Sequence, residues 1–299
     1  MTRKKWKLEY PLHLMLLPGL ILVLIFAYGP MAGIVIAFQN FNPGKGLFGS
    51  DYIGLDNFQY IYGLPDTTIV IRNTVYIAFL KMIAGLAAPI ATALLLNELR
   101  KQLFKRSVQT LIYLPNFLSW VILSGILIDV LSPTDGIVNQ FLNWLGFKSI
   151  FFLGDARWFP YVMVTTDVWK EFGFNTIVYL AALTSINPTL YEAAVIDGAN
   201  RWKQTLHVTL PGMLPIIILL MTLSLGQVLN AGFDQIFNLY SPNVYSTGDI
   251  LDTYVYRIGL GNGQFGLATA VGLFKSVISL FMISISYFLA YRFANYRIF

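Results

Sequence analysis

The chain contains no cysteine, so disulfides, thiolate metal sites and cysteine nucleophiles are all excluded. Histidine occurs only at His13 and His207, which leaves no material for a histidine-based metal site or acid–base pair. Charge is scarce as well: 12% of residues are Asp, Glu, Lys or Arg, against about a quarter in soluble domains. No GxxxxGK[ST] string occurs, so this polypeptide cannot cradle ATP with a P-loop. Internal repeats, heptads and low-complexity tracts are also missing.

What remains is apolar. Of 299 residues 56% are hydrophobic, and the mean hydropathy is +0.64. So large an excess cannot be hidden in one globular core and belongs in lipid. Six stretches suit spans of about 20 predominantly apolar residues: Leu12–Phe38, Val75–Leu96, Val108–Leu131, Tyr161–Leu183, Leu214–Leu229 and Leu267–Phe293. Pro211, Gly212 and Pro215 are expected to extend the short fifth span at its start. Met1–Lys7 is basic, but the apolar stretch after it is too long for a cleaved leader and lacks an Ala-x-Ala-like site, so a retained first span is expected.

The net charge of +5 reflects loop retention rather than nucleic-acid binding. Twelve basic residues fall on one side: Arg3, Lys4, Lys5, Lys7, Arg100, Lys101, Lys105, Arg106, Arg201, Lys203, Arg292 and Arg297. Against these the loops of the other side offer Lys45, Lys148, Arg157 and Arg257. Positive charge stays inside, which places both termini in the cytoplasm. The external segments Asn40–Pro65, Ser132–Trp158 and Gly232–Phe265 carry turn residues and aromatics, and none is long enough for a separate domain. Residues 1–299 therefore read as one all-α membrane domain.

Lys81, Asp129, Asp167, Lys170, Glu171 and Lys275 fall in or near spans, where each costs roughly 2.5–3.5 kcal/mol unless paired or hydrated. Asp167 and Lys170 stand three apart and can pair on one helical face, with Glu171 turned towards a neighbouring helix or an aqueous cavity. With Asn175 they are solute-path candidates, the alternative being a buried structural network. Gln227, Asn230 and Asp234 recur at helical spacing and suggest a polar stripe on span five, whose first two members join the candidates. Lys81 and Lys275 read as snorkelling or pairing between helices. Gly261-Asn262-Gly263-Gln264-Phe265-Gly266 matches GxGxxG but follows no strand of a βαβ unit, so no dinucleotide site is expected.

Between spans four and five lies a polar island, residues 187–212. Pro188 suits the first turn of a helix capped by Asn187; alternatively Thr189 caps and Glu192 closes a capping box. Gly198 then stops that helix, and a second short helix, Arg201–His207, leads into span five. The small residues Ala193, Ala194, Gly198 and Ala199 allow another backbone to approach closely, with Glu192 and Asp197 supplying charge at the edges.

Glu192-Ala193-Ala194-x-x-Asp197-Gly198-Ala199, followed by Leu210-Pro211-Gly212, resembles the EAA signature of permease subunits of binding-protein-dependent ABC importers. Trp169-Lys170-x-x-Gly173-Phe174 and Leu183–Pro188 look like carbohydrate permeases. Leu17-Pro18-Gly19, Pro115-Asn116-Phe117 and Pro133-Thr134-Asp135-Gly136 resemble their oligosaccharide branch. The resemblance covers nearly the whole chain. It implies a type I ABC importer permease fold with six transmembrane helices in a bacterial cell membrane. It also implies a coupling role for Glu192, Ala193, Ala194, Asp197, Gly198 and Ala199. The partners it implies are a second, related permease forming a heterodimer, two cytoplasmic ATPase subunits holding ATP and magnesium, an extracytoplasmic solute-binding protein and a carbohydrate. No cofactor, metal or catalytic residue is expected on this chain itself. The rival readings are a secondary transporter carrying protons on Asp167 and Glu171, and a membrane-bound enzyme.

Overall fold

The computed structural model describes residues 3–99 and 101–294, and these are mostly helical. Arg100 and Arg297 of the basic tally lie outside them. The chain divides into two compact units, Met1–Leu64 with Val255–Phe274, and Pro65–Tyr254 with Lys275–Phe299.

In the first unit, α1 (Arg3–Val23) runs through a π turn, Leu24–Tyr28, into a 3₁₀ stretch, Gly29–Phe38. Pro11, Pro18 and Pro30 remove backbone donors along this path, the usual source of such irregular winding. A two-residue antiparallel pair follows, β1 (Gln39–Asn40) with β2 (Asp51–Tyr52), and then α2 (Asp56–Gly63). The buried Asn57 ties α2 to the strand by donating Nδ2 to the carbonyls of Ala37 at 2.9 Å and Gln39 at 3.0 Å. A Cβ on Gly266 would stand 2.7 Å from the Gln39 carbonyl oxygen. Close packing thus accounts for that glycine of the GxGxxG match.

The second unit is built on α3 (Pro65–Glu98), α4 (Gln102–Tyr113), α5 (Trp120–Val130) and α6 (Phe159–Thr184). It continues through α7 (Pro188–Ile196), α8 (Leu210–Gly226) and α9 (Phe233–Leu239), and takes in the later part of α10 (Phe265–Ala294). The α3–α6 pair forms its spine. Ile77, Phe159, Met163, Ile236 and Ile250 make one buried core, and Ala93, Tyr179, Leu183 and Met213 another. Gly173 marks a close crossing, for a Cβ there would sit 1.9 Å from the carbonyl oxygen of Ile112 on α4. Asn139, fully buried, organises the segment after α5: its Nδ2 donates to the Ser132 and Ile150 carbonyls while its Oδ1 accepts from the Ile150 N–H.

Among the described residues four helices are long and apolar enough to cross a membrane: Tyr10–Phe38, Pro65–Glu98, Arg201–Gly226 and Phe265–Phe288. The expected third span is not one straight helix. Gln102–Phe117 and Trp120–Val130 meet at 104°, and counting that pair as one span raises the number to five. Pro115 withholds a donor, Leu118 and Ser119 are extended, and Ser119 starts α5 by accepting from the Ile122 N–H at 3.4 Å. The expected fourth span is α6, 26 residues long, whose Asp167, Lys170 and Glu171 keep it out of the apolar set. Span two begins ten residues earlier than expected, because Pro65 and Asp66 provide a favourable first turn. Span five starts at Arg201 and ends at Gly226. The external segments expected to be irregular also contain short helices, among them α2, Ile137–Trp144 and α9.

Candidate functional site

The island between α6 and α8 folds as the residue pattern dictates. Asn187, extended at φ −62° and ψ 121°, accepts the Thr189 N–H on its side chain, and Pro188 occupies the first helical position. Asn187 is therefore the cap, and the Thr189–Glu192 alternative is not used. At the other end Gly198 has φ +74°. The Ala199 N–H reaches the Ala194 carbonyl at 2.8 Å and the Gly198 N–H reaches that of Val195 at 3.0 Å, the paired bonds of a Schellman stop. Asn200 then caps the next helix by accepting from the Lys203 N–H. Arg201–Gln204 runs on through a π turn, Thr205–Thr209, into α8 rather than forming a separate helix.

The island is anchored on one side and open on the other. Tyr191 shares a hydrogen bond with Thr209 at 3.0 Å, and Gln204 donates to the Ala199 carbonyl at 2.9 Å. Glu192, Ala193, Asp197 and Gly198 are exposed, and Ala194 and Ala199 are partly so. Val195 is 62% exposed and Ile196 85%. A Cβ at Gly198 would meet nothing within 4 Å, so the space beside it belongs to no part of this chain. A cavity of about 580 Å³ lies between α7, which lines it with Glu192, Val195 and Ile196, and the end of α3, where Arg201 and Glu98 approach to 3.4 Å.

The charged residues of α6 pair differently from expectation. Asp167 does not pair with Lys170; it takes Lys81 of α3 at 3.0 Å. Lys170 turns instead to its neighbour Glu171 at 2.8 Å and to the Asn116 carbonyl at 3.1 Å, beneath the ring of Trp120. Asn116 returns a hydrogen bond from Nδ2 to the second Glu171 oxygen at 2.7 Å. A buried ion costs several kcal/mol unless its hydrogen-bonding capacity is filled. The bend between α4 and α5 supplies that filling. Lys275 likewise pairs with Asp252 at 2.5 Å, whereas Asp129 is exposed at the end of α5.

Five of the six solute-path candidates line one cavity of about 380 Å³: Asp167, Glu171, Asn175, Gln227 and Asn230. Lys170 does not join them; it is buried below. The stripe expected on span five is not helical. The helix ends at Gly226, the chain turns, and Gly232 adopts φ +94° before α9. That turn still places Gln227 and Asn230 side by side, 3.3 Å between amides, while Asp234 is exposed on α9 and lies off the cavity.

Sequence reading missed Gln235. Fully buried, it accepts from Lys81 and donates to the Met163 carbonyl at 2.9 Å and the Thr166 hydroxyl at 2.7 Å. The available signal was Lys81 itself, a cation in an apolar helix that needs more partners than one carboxylate. The Ala231 carbonyl supplies another at 2.8 Å. A Cβ on Gly232 would stand 2.8 Å from the Lys81 nitrogen.

Residues 82–295 match the family of binding-protein-dependent transport system inner membrane components. The chain is 41% identical over 284 residues to the polygalacturonan/rhamnogalacturonan transport system permease protein YteP of Bacillus subtilis, covering 95% of this chain and 88% of that one. A solved bacterial ABC transporter involved in import of the acidic polysaccharide alginate contains a chain with TM-score 0.90 and 39% identity, covering 97% of this chain and 98% of its own. A second structure of that kind, in complex with an alginate pentasaccharide-bound periplasmic protein, gives TM-score 0.89 at 39% identity over 97% and 96% of the chains. On the strength of the family match and of that identity across almost its whole length, this chain belongs to the binding-protein-dependent inner membrane permeases of ABC transport systems.

Proposed function

We propose that the chain is one permease of a heterodimeric importer for carbohydrate, oligosaccharide in particular, with six transmembrane passes and both termini in the cytoplasm. On this reading α6 and the bent α4–α5 pair complete the six. The observation that carries it is the island's construction: a short helix capped at Asn187, stopped at Gly198, anchored at Tyr191 and Gln204, and open along Glu192–Ala199. Exposed Val195 and Ile196, with empty space beside Gly198, suit a cleft on another protein rather than water. Two separate ATPase subunits, holding the ATP and magnesium, occupy that position in the proposal. The sugar class rests on what the similar proteins are named to carry, and the solute-binding partner on the complexed alginate importer.

In mechanism, ATP-bound ATPases and a loaded binding protein each favour the outward-open state, because a ligand shifts an equilibrium only by its differential affinity. Force applied at Glu192–Ala199 crosses only the tight turn at Asp197–Asn200, where Gln204 holds the Ala199 carbonyl, before it enters the continuous helix Arg201–Gly226. The far end of α8 carries Gln227 and Asn230 into the cavity lined also by Asp167, Glu171 and Asn175, which in this reading is the solute path. Proton coupling through Asp167 and Glu171 finds no support, for each carboxylate is already engaged by a lysine.

The test is Gly198→Asp in the reconstituted assembly. A Cβ there meets nothing within 4 Å, although φ +74° strains any side chain at the helix stop; in variant protein whose insertion and assembly are shown to persist, solute-stimulated ATP hydrolysis is expected to be abolished. Undiminished stimulation in an inserted, assembled variant contradicts the docking role.

A further inference from the structure

The helix Ile137–Trp144, in the segment joining the end of α5 to the start of α6, is amphipathic in the reverse of the usual sense. Its anchor to the protein is polar. Asn139 is fully buried and bonds the Ser132 and Ile150 carbonyls, and Asn143, one turn on, bonds the Ser149 hydroxyl at 3.1 Å. A Cβ on Gly136, at the helix start, would stand 2.6 Å from the Val130 carbonyl oxygen. The helix is thus set hard against the last turn of α5. Its outward face is apolar. Ile137, Phe141, Trp144 and Leu145 recur at helical spacing on that face and all are exposed, Trp144 to 79% and Phe141 to 58%. The rings of Phe141 and Trp144 stack at 6.0 Å, and Phe147 extends the patch just past the stop at Gly146.

Such a face is unfavourable in water. Three occupants are open to it: the bilayer, a second permease and a binding protein. A binding protein that comes and goes leaves these side chains in water between visits. Contacts between helices in membranes favour small residues, and this face has none. Its chemistry is that of the lipid boundary, aromatic rings beside Lys148, the sole charge between Gly136 and Gly154. The patch also continues an apolar surface, for Val121, Ile122, Ile126 and Ile128 are exposed along α5, to whose end the helix is bonded. We infer that Ile137–Trp144 is an interfacial foot whose occupant is the boundary between lipid headgroups and acyl chains. There it holds the joined ends of α5 and α6 at the membrane surface. That this surface is the outer one rests on the permease reading; the contact with lipid does not.

With no native cysteine to compete, single cysteines carry the test. Bimane is attached to Phe141→Cys, Leu145→Cys and Asn143→Cys in nanodiscs containing brominated phosphatidylcholine, for the chain alone and for the assembled complex. Lipid quenching at 141 and 145 is expected to be several times that at 143. It is expected to be greatest with bromines near the headgroups, because an interfacial helix sinks its apolar face only about 5–10 Å. Iodide in the water is expected to quench in the opposite order. Adding Trp144→Ser to Leu145→Cys is expected to weaken lipid quenching and to admit iodide. The inference is overturned by equal lipid quenching at all three positions, or by iodide reaching 141 and 145 as readily as 143. It is also overturned if lipid quenching in the chain alone is lost in the complex, which would assign the face to a partner protein. An impermeant maleimide on intact cells tests the side separately: labelling of Asn143→Cys only after lysis would reverse the orientation and leave the lipid contact standing. Failure of the Gly198→Asp test would likewise overturn the permease reading without touching this contact.

Discussion

Lys81 illustrates how single residues are constrained at membrane depth. It is 9% exposed and holds Asp167, the Ala231 carbonyl and Gln235 together. Removing one partner of a buried pair leaves an uncompensated charge, which costs about 3–5 kcal/mol. Lys81→Met is therefore expected to lower the thermal unfolding midpoint of the detergent-solubilised protein sharply, and Lys81→Met/Asp167→Leu to recover most of the loss. A double variant as unstable as the sum of the two singles would show that the pair is not coupled. Gly173 is constrained by space. Its Cβ would collide with backbone on α4, so Gly173→Ala is expected to cost about 1–3 kcal/mol in the same assay, the range for overpacking. At this scale the sequence was half legible. It showed that Asp167, Lys170 and Glu171 needed partners, but helical spacing offered only partners on the same helix. The true ones, Lys81 and Asn116, come from α3 and from the bend before α5, where no local periodicity reaches.

Among the elements, the island between α6 and α8 was the most legible, because every signal in it is local. A cap, a proline at the first position and a glycine stop each act within a few residues, and all three stand where residue chemistry put them. Asn187→Ala removes the cap at a cost of about 1 kcal/mol. Amide hydrogen exchange across 188–196 is expected to quicken about fivefold while exchange in α6 stays unchanged; no change in 188–196 would show that Tyr191–Thr209 packing alone holds the helix. The bent α4–α5 pair was illegible, since hydropathy averages over the very residues, Pro115 to Ser119, that redirect the chain. The polar stripe of span five failed for the same reason. Its members meet through a turn at Gly226–Gly232, not through helical spacing.

For the whole molecule, composition and hydropathy were enough to assign a helical membrane protein, and the charges of α6 are the reason its count of spans is less plain in the structure. Asp167 and Glu171 sit together with Asn175, Gln227 and Asn230 around one cavity, and the helix Arg201–Gly226 runs from that cavity to the turn that closes the exposed island. The central claim is that an ATPase pulls on this lever. Because the chain has no cysteine, one introduced at Ala199 is unique. The most direct measurement is cross-linking from Ala199→Cys in intact cells, with the captured product identified by mass spectrometry. The account predicts a covalent adduct with an ATP-hydrolysing subunit that weakens when ATP is depleted. Efficient labelling of that cysteine with no ATPase ever captured would contradict it.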